Sequence, residues 1–290
     1  MLPGISISKC AILADPRDRE KSQLIGKVLE ALIPELEGKG LAVESFVKVP
    51  AHQIQPGPEV GLFLVLGGDG TMIHFAQHLG RFGIPFYGLN YGNMGFMMNN
   101  PLEGLDRHAS NISEGRFSIW NFPVLKVKST DLTGEVHEGY GLNDIYLQRM
   151  TAQSCKVNIT LGDTALDINP LLCDGVIVAT PLGSTAYSYN TTGSLVAINA
   201  SVITLTPLAA HRSCPVSCMM LPFDTKIEFH ILEPEKRRVQ VVSDAESHGN
   251  LTHAEILISK RHVMLCYDPE ASRNLPMRFI NKACGPSPRR

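Results

Sequence analysis

Apolar and polar residues fall into blocks along the first third of the chain, and the spacing changes from block to block. Residues 9–15, KCAILAD, are a short continuous apolar run of the kind a strand buried on both faces shows. Residues 20–37 place Leu24, Ile25, Val28, Leu29, Leu32, Ile33 and Leu36 at steps that line one face of a helix, with Pro34 predicting a kink or stop near its end. Strands are predicted at residues 41–46 and 60–66, separated by the Pro-rich VPAHQIQPGPE. A helix over 71–81 and a strand over 84–90 follow, the strand running into YGNMG. This alternation predicts an open, largely parallel sheet flanked by helices.

After about residue 101 the period shortens. FPVLKVKS, KVNITLGD, DGVIVATP and TKIEFHIL belong to a regular series of strand-like runs, which predicts an all-β, sandwich-like layer. The expected fold class is α/β + β. A Rossmann-like open sheet with helices occupies residues 1–100, a mostly β domain occupies 101–268, and a tail over 269–290 returns to the first domain.

Composition narrows the class. With 44% hydrophobic and 19% charged residues the chain is globular and not disordered. A net charge of -2 argues against nonspecific nucleic-acid binding, which draws its affinity from many cationic contacts. Only the final GPSPRR is locally basic, and no apolar run reaches the ~18 residues of a membrane span. The start, MLPGISISKC, lacks the pattern of a secretory leader, so a cytoplasmic protein with neither nucleic-acid nor membrane partners is expected. The seven cysteines, Cys214 and Cys218 among them, show no C-x-x-C pair and read as reduced thiols. His74 and His78 stand four apart, but Phe75 takes the place of the Glu that a zinc-protease helix needs, so no protein-held metal is assigned.

LGGDGTMIHF, residues 66–75, carries the candidate chemistry. Gly67, Gly68 and Gly70 around Asp69 sit at the carboxyl end of a predicted strand and before a helix, where open α/β sheets present ligand contacts. Such a turn offers N–H groups to phosphate. Asp69 and Thr71 also suit helix capping, which gives a purely structural alternative. Neither a P-loop nor a G-x-G-x-x-G is present. Asn143 and Asp144 in LND offer an amide and a carboxylate to adenine edges or a ribose diol, or else form an Asn-Asp turn. In DGVIVATPLGSTAYS, Thr185, Ala186 and Tyr187 read as a nucleotide pocket wall, or as half-buried packing; Asn190 adds a possible amide contact or a turn.

GGDGT resembles the loop shared by NAD kinases, diacylglycerol and sphingosine kinases and 6-phosphofructokinases. LND, the fifteen-residue run from Asp174 to Ser188, and LNYGNMGF narrow the resemblance to the NAD kinase family. The resemblance implies phosphorylation of the 2′-hydroxyl of the adenosine ribose of NAD to give NADP, with ATP or a related donor and Mg2+ or another divalent cation, in a homodimer or homotetramer. On this reading Asp69 is the general base. Gly68, Gly70, Thr71, Phe96, Asn143, Asp144, Asp174, Thr185, Ala186, Tyr187, Asn190 and Ala209 line the nucleotide sites, Phe96 beside the adenine and Asp174 near the nicotinamide half. Asp244, in VVSDAE, lies near a family Asp that precedes a binding residue and is left outside the assigned site. Leu172, Leu182 and Thr192 depart from the family pattern, Leu182 removing a hydroxyl from the pocket rim. A lipid kinase sharing the loop and a dinucleotide sensor without turnover are the alternatives.

Overall fold

The first apolar run is a strand, β1 (Lys9–Ala14), with every residue after Lys9 buried. Helix α1 (Arg19–Gly38) follows and buries Ile25, Val28, Leu32 and Leu36, each such side chain contributing roughly 1.5–3 kcal/mol. Pro34 lies inside this helix without ending it. Next come β2 (Ala42–Val47), β3 (Leu62–Gly67), α2 (Asp69–Leu79), β4 (Phe86–Asn90) and α3 (Leu105–Ser113). The computed structural model describes residues 2–3, 7–16, 19–92, 95–168, 170–211, 217–244 and 246–285. Cys214 and the tail GPSPRR beyond Gly285 lie outside the described residues.

Chain contacts divide the protein into two units, Met1–Phe122 with Arg261–Arg290, and Pro123–Lys260. The first division therefore falls after Phe122, whereas the change of sequence character begins near residue 101. The intervening stretch belongs to the first core: α3 packs on α1, and Ala109, Ile112, Phe117 and Ile119 share a hydrophobic cluster with Leu32 and Leu36. In unit 1, β1 pairs in parallel with both β2 and β3, and β3 with β4. The spatial order β2-β1-β3-β4 reverses direction between β1 and β3. That is the topological switch point, where the crevice beyond the strand ends receives ligands.

The next strand, β5 (Ser118–Asp131), leads into unit 2 and forms a hairpin with β6 (Val136–Gly141). Then follow β7 (Asp144–Arg149), β8 (Cys155–Leu161), β9 (Leu171–Cys173), β10 (Gly175–Ala179), α4 (Tyr187–Thr192), β11 (Val202–Leu208), β12 (Met219–Pro222), β13 (Ile227–Ile231), β14 (Val239–Ser243), β15 (Glu246–His248) and β16 (Leu251–Tyr267). One antiparallel sheet runs β12-β11-β10-β7-β14-β15. The other places β8 between β9 and β13, with β13 also pairing the first part of β16. Alternate residues of both sheets, among them Ile145, Val157, Val178, Ile203, Phe229 and Ile256, fill one core, as a sandwich requires.

From Arg261 the chain is again part of unit 1. The end of β16 adds a parallel strand beside β4, with Leu265 opposite Phe86. Helices α5 (Pro269–Ser272) and α6 (Leu275–Cys284) close the described chain.

Candidate active site

Glycine works in two distinct ways at the end of β3. A Cβ on Gly67 would stand 2.6 Å from Oγ1 of Thr71, and one on Gly92 only 3.0 Å from the Cα of Gly68, so at these positions the backbones need the missing side chain. Gly70 instead faces open space, with nothing within 4 Å of an added Cβ. The Tyr91 N–H donates to the Gly67 carbonyl at 2.6 Å, and the Asn90 side chain accepts from the Gly92 N–H at 3.1 Å. The two loops thus meet main chain to main chain.

Asp69 is the first residue of α2, yet no side chain caps that helix, whose N-cap is Gly68. Its carboxylate reaches across to the other loop. Oδ2 accepts from the Phe96 N–H and Oδ1 from the Met97 N–H, both at 2.9 Å. A main-chain donor on each oxygen fixes the carboxylate plane. Asn99 braces the donor segment: fully buried, it donates to the carbonyls of Gly88 and Cys266 and accepts from the Asp268 N–H at 3.0 Å. The Phe96 ring is buried and packs on Phe279, with 5.5 Å between centroids; what Phe96 presents to Asp69 is its N–H.

Beyond β1 and β3, at the switch point, lies a cavity of about 190 Å³ lined by Asp15, Lys21, Gly67, Gly68, Gly70 and Thr71, with Leu24, Ile25 and Tyr91 among its apolar walls. A second cavity, of about 260 Å³, shares Asp15, Lys21, Gly70 and Thr71 and adds His74. Leu24, on the apolar pattern of α1, is 43% exposed because it faces this groove and not the core. Asp15 and Lys21 escaped the sequence reading. Their signal was available: both stand just after β1, on the side where a switch point collects ligands.

In unit 2 the predicted nucleoside residues gather around a bend before β7. Asp144 opens that strand and is buried, 6% exposed. Burial first, and then the Asp244 carboxylate, push its pKa up to about 7, against a partial opposing effect of the Tyr187 N–H. Asp244 is itself raised to about 6 by burial, although the N–H groups of Leu142, Asn143 and Asp144 favour its charged form. Asn143 Oδ1 is buried and finds no hydrogen-bond partner among the described residues. The Thr180 N–H donates to the Asn143 carbonyl at 2.9 Å. Tyr187 opens α4, 37% exposed, its ring edge-on to Tyr146 at 5.2 Å.

The remaining assigned residues are spread over unit 2, Thr185 and Ala186 directly before Tyr187. Thr185 turns its hydroxyl onto the Leu182 carbonyl at 3.0 Å, Ala186 precedes α4 as its N-cap, and Asn190 is exposed on that helix. Asp174 is held by Arg149 in a two-pronged pair, Nε to Oδ1 at 2.6 Å and Nη2 to Oδ2 at 3.2 Å. Ala209, exposed, has a left-handed backbone with φ 45°, uncommon for a residue with a Cβ. Leu182 is 1% exposed and therefore part of the packing beneath the loop, not of a pocket rim.

The raised carboxyl pair sets a pH dependence of stability. Between about pH 4 and pH 7 the folded protein retains protons that an unfolded chain, with carboxyls near pKa 3.9, has released. Their contribution therefore diminishes as pH rises through this window. Asp144→Asn, which can still accept from the Tyr187 N–H, is expected to gain stability over the wild type from pH 4 to pH 7, reaching on the order of 3 kcal/mol. Denaturant unfolding at each pH checks it; a difference that stays flat with pH would contradict the pairing.

A glycine loop at the switch point of a parallel sheet, an acid fixed by main-chain donors and a polar bend on a β sandwich together define the class as a nucleotide-dependent kinase. The chain belongs to the ATP-NAD kinase family: the family's N-terminal domain matches residues 50–117 and its C-terminal domain residues 142–264. An NAD kinase of Rhizobium meliloti (strain 1021) is 30% identical over 256 residues, covering 82% of this chain and 97% of the relative. One from Hyphomonas neptunium is 32% identical over 214 residues, covering 73% of this chain and 81% of the relative. The fold is similar to that of an NAD kinase from Archaeoglobus fulgidus in complex with ATP, with TM-score 0.72, 23% identity and coverage of 96% and 100% of the two chains. It is likewise similar to yeast NADH kinase complexed with NADH, with TM-score 0.76, 21% identity and coverage of 96% and 87%.

Proposed function

We propose that the chain transfers a phosphoryl group from ATP or a related donor to the 2′-hydroxyl of the adenosine ribose of NAD, giving NADP. The observation that carries this reading is the Asp69 carboxylate, which opens a helix without capping it and is instead aimed and held by two main-chain N–H groups. A carboxylate is a weak base toward an alcohol. Phosphoryl transfer, however, runs through a loose transition state in which alignment of the acceptor matters more than basicity. Asp69 accepts the hydroxyl proton as the oxygen–phosphorus bond forms. Asn143 and Asp144 bind the nucleoside, the buried Asn143 Oδ1, without a partner among the described residues, accepting from an N–H of the base or a ribose hydroxyl.

The groove at the switch point takes the donor's phosphates. Lys21 supplies a cation, the glycine loop its N–H groups, and open Gly70 the clearance for close approach. Asp15 and the Thr71 hydroxyl offer the hard oxygen donors suited to magnesium, which commonly takes one or two protein ligands with phosphates and waters; when bound it neutralises phosphate charge. We also read the chain as a cytoplasmic homo-oligomer. No helix among the described residues is long and apolar enough to cross a membrane.

The test uses purified protein with NAD, ATP and magnesium, its product read by an NADP-specific dehydrogenase. NADP should accumulate in proportion to enzyme. Calorimetric binding of NADP with no NADP formed from any donor would replace the kinase with a dinucleotide sensor.

A further inference from the structure

Asp244 leaves β14 at the point where Ser243 pairs with Glu246 of β15, and its backbone is left-handed, with φ 50°. A tight hairpin turn at such φ accepts Asn or Gly at least as readily as Asp, so the turn alone does not call for a carboxylate. The side chain is directed away from its own hairpin. Oδ2 accepts from the Leu142 N–H at 2.8 Å and Oδ1 is 3.4 Å from the Asn143 N–H, while the Asp244 N–H is directed at the Asp144 carbonyl at 3.4 Å. On the opposite side of the same bend, Thr180 Oγ1 donates to the Leu142 carbonyl at 2.7 Å. Main chain from Leu142 to Asp144 is therefore clamped from two elements, and the Asn143 side-chain oxygen is left unsatisfied among the described residues.

We propose that Asp244 is a positioning residue for dinucleotide binding: its carboxylate fixes the Leu142–Asn143 amides so that the Asn143 and Asp144 side chains stand ready for the nucleoside. This rests on the reading above that those two residues contact the dinucleotide. A second consequence is electrostatic. Asp144 is faced by the Asp244 carboxylate from the hairpin and the Tyr187 N–H from the start of α4, with the Tyr146 phenol nearby on its own strand. The Asp244 charge opposes ionisation of Asp144, and so sets the pH at which Asp144 becomes the stronger acceptor for ribose hydroxyls.

The experiment compares full-length wild type with Asp244→Asn and Asp244→Ala, measuring NAD affinity by calorimetry from pH 5.5 to 8.5 and, alongside, KM and kcat. Asn keeps the turn and one acceptor but no charge, which secures a folded variant. Asp244→Ala is expected to weaken NAD binding about 10- to 100-fold, appearing in KM with kcat within about threefold. Asp244→Asn should weaken it less and move the acid limb of affinity down by about one pH unit. A merely structural role would alter melting without moving that limb. Should the wild type bind no dinucleotide, the reading of the site itself fails. If the wild type binds and Asp244→Asn matches it in affinity and pH dependence, the positioning role alone is overturned.

Discussion

Asp69→Asn is expected to lower turnover about 10²- to 10⁴-fold, the range general acid–base groups supply, while changing NAD affinity less than about threefold. The substitution preserves shape, so groove and loops keep their outlines. It removes the proton acceptor and places an amide NH2 opposite either the Phe96 or the Met97 N–H, both of which donate to Asp69 at 2.9 Å. Donor against donor costs about 1–3 kcal/mol. A lower melting temperature is therefore part of the prediction, and single-turnover assays well below it separate lost chemistry from lost fold. Turnover within a few-fold of wild type in the folded variant would remove Asp69 from the base role.

The parallel half of the fold was legible because its signals are local. A five-residue apolar core in β1 and a three-four spacing in α1 each require one partner surface, and both elements lie within one or two residues of their expected bounds. Pro34 misled only mildly, since the helix runs through it to Gly38. What the pattern concealed was α3, where Leu105, Ala109 and Ile112 sit among polar residues and depend on α1 for burial. The extent of unit 1 was hidden for the same reason: residues 105–119 owe their place to partners far back in the chain.

The candidate site divides in a similar way. The glycine loop, the Asn143–Asp144 step and the stretch around Tyr187 are contiguous signals. Asp244 is not: it gains its meaning from amides about a hundred positions earlier. Asp15 and Lys21 carried only their place after β1, and it is the cavity they share with the glycine loop that marks them. Even Asp69, singled out by its glycine neighbours, presented an ambiguity between capping and chemistry that sequence spacing left open. The hydrogen bonds to residues 96 and 97 decide its orientation, and they are a property of the two loops' approach at Gly68 and Gly92.

That dependence of binding groups on close backbone approach is sharpest at Gly183. A Cβ there would lie 2.0 Å from the Asn143 carbonyl oxygen and 2.4 Å from its carbon. Neither atom can give way cheaply, because the Thr180 N–H donates to the same oxygen at 2.9 Å. Nor can the loop lift freely: Ser184, fully buried, accepts from the Val196 N–H at 3.0 Å. Gly183→Ala is thus expected to destabilise unit 2 by about 3 kcal/mol, the upper part of the overpacking range, and to displace Asn143 enough to weaken NAD binding at least about tenfold, one lost polar contact. Denaturant unfolding and calorimetry together check it. An alanine variant with wild-type stability and affinity would mean that the loop carrying Thr185, Ala186 and Tyr187 is not seated on the Asn143 backbone.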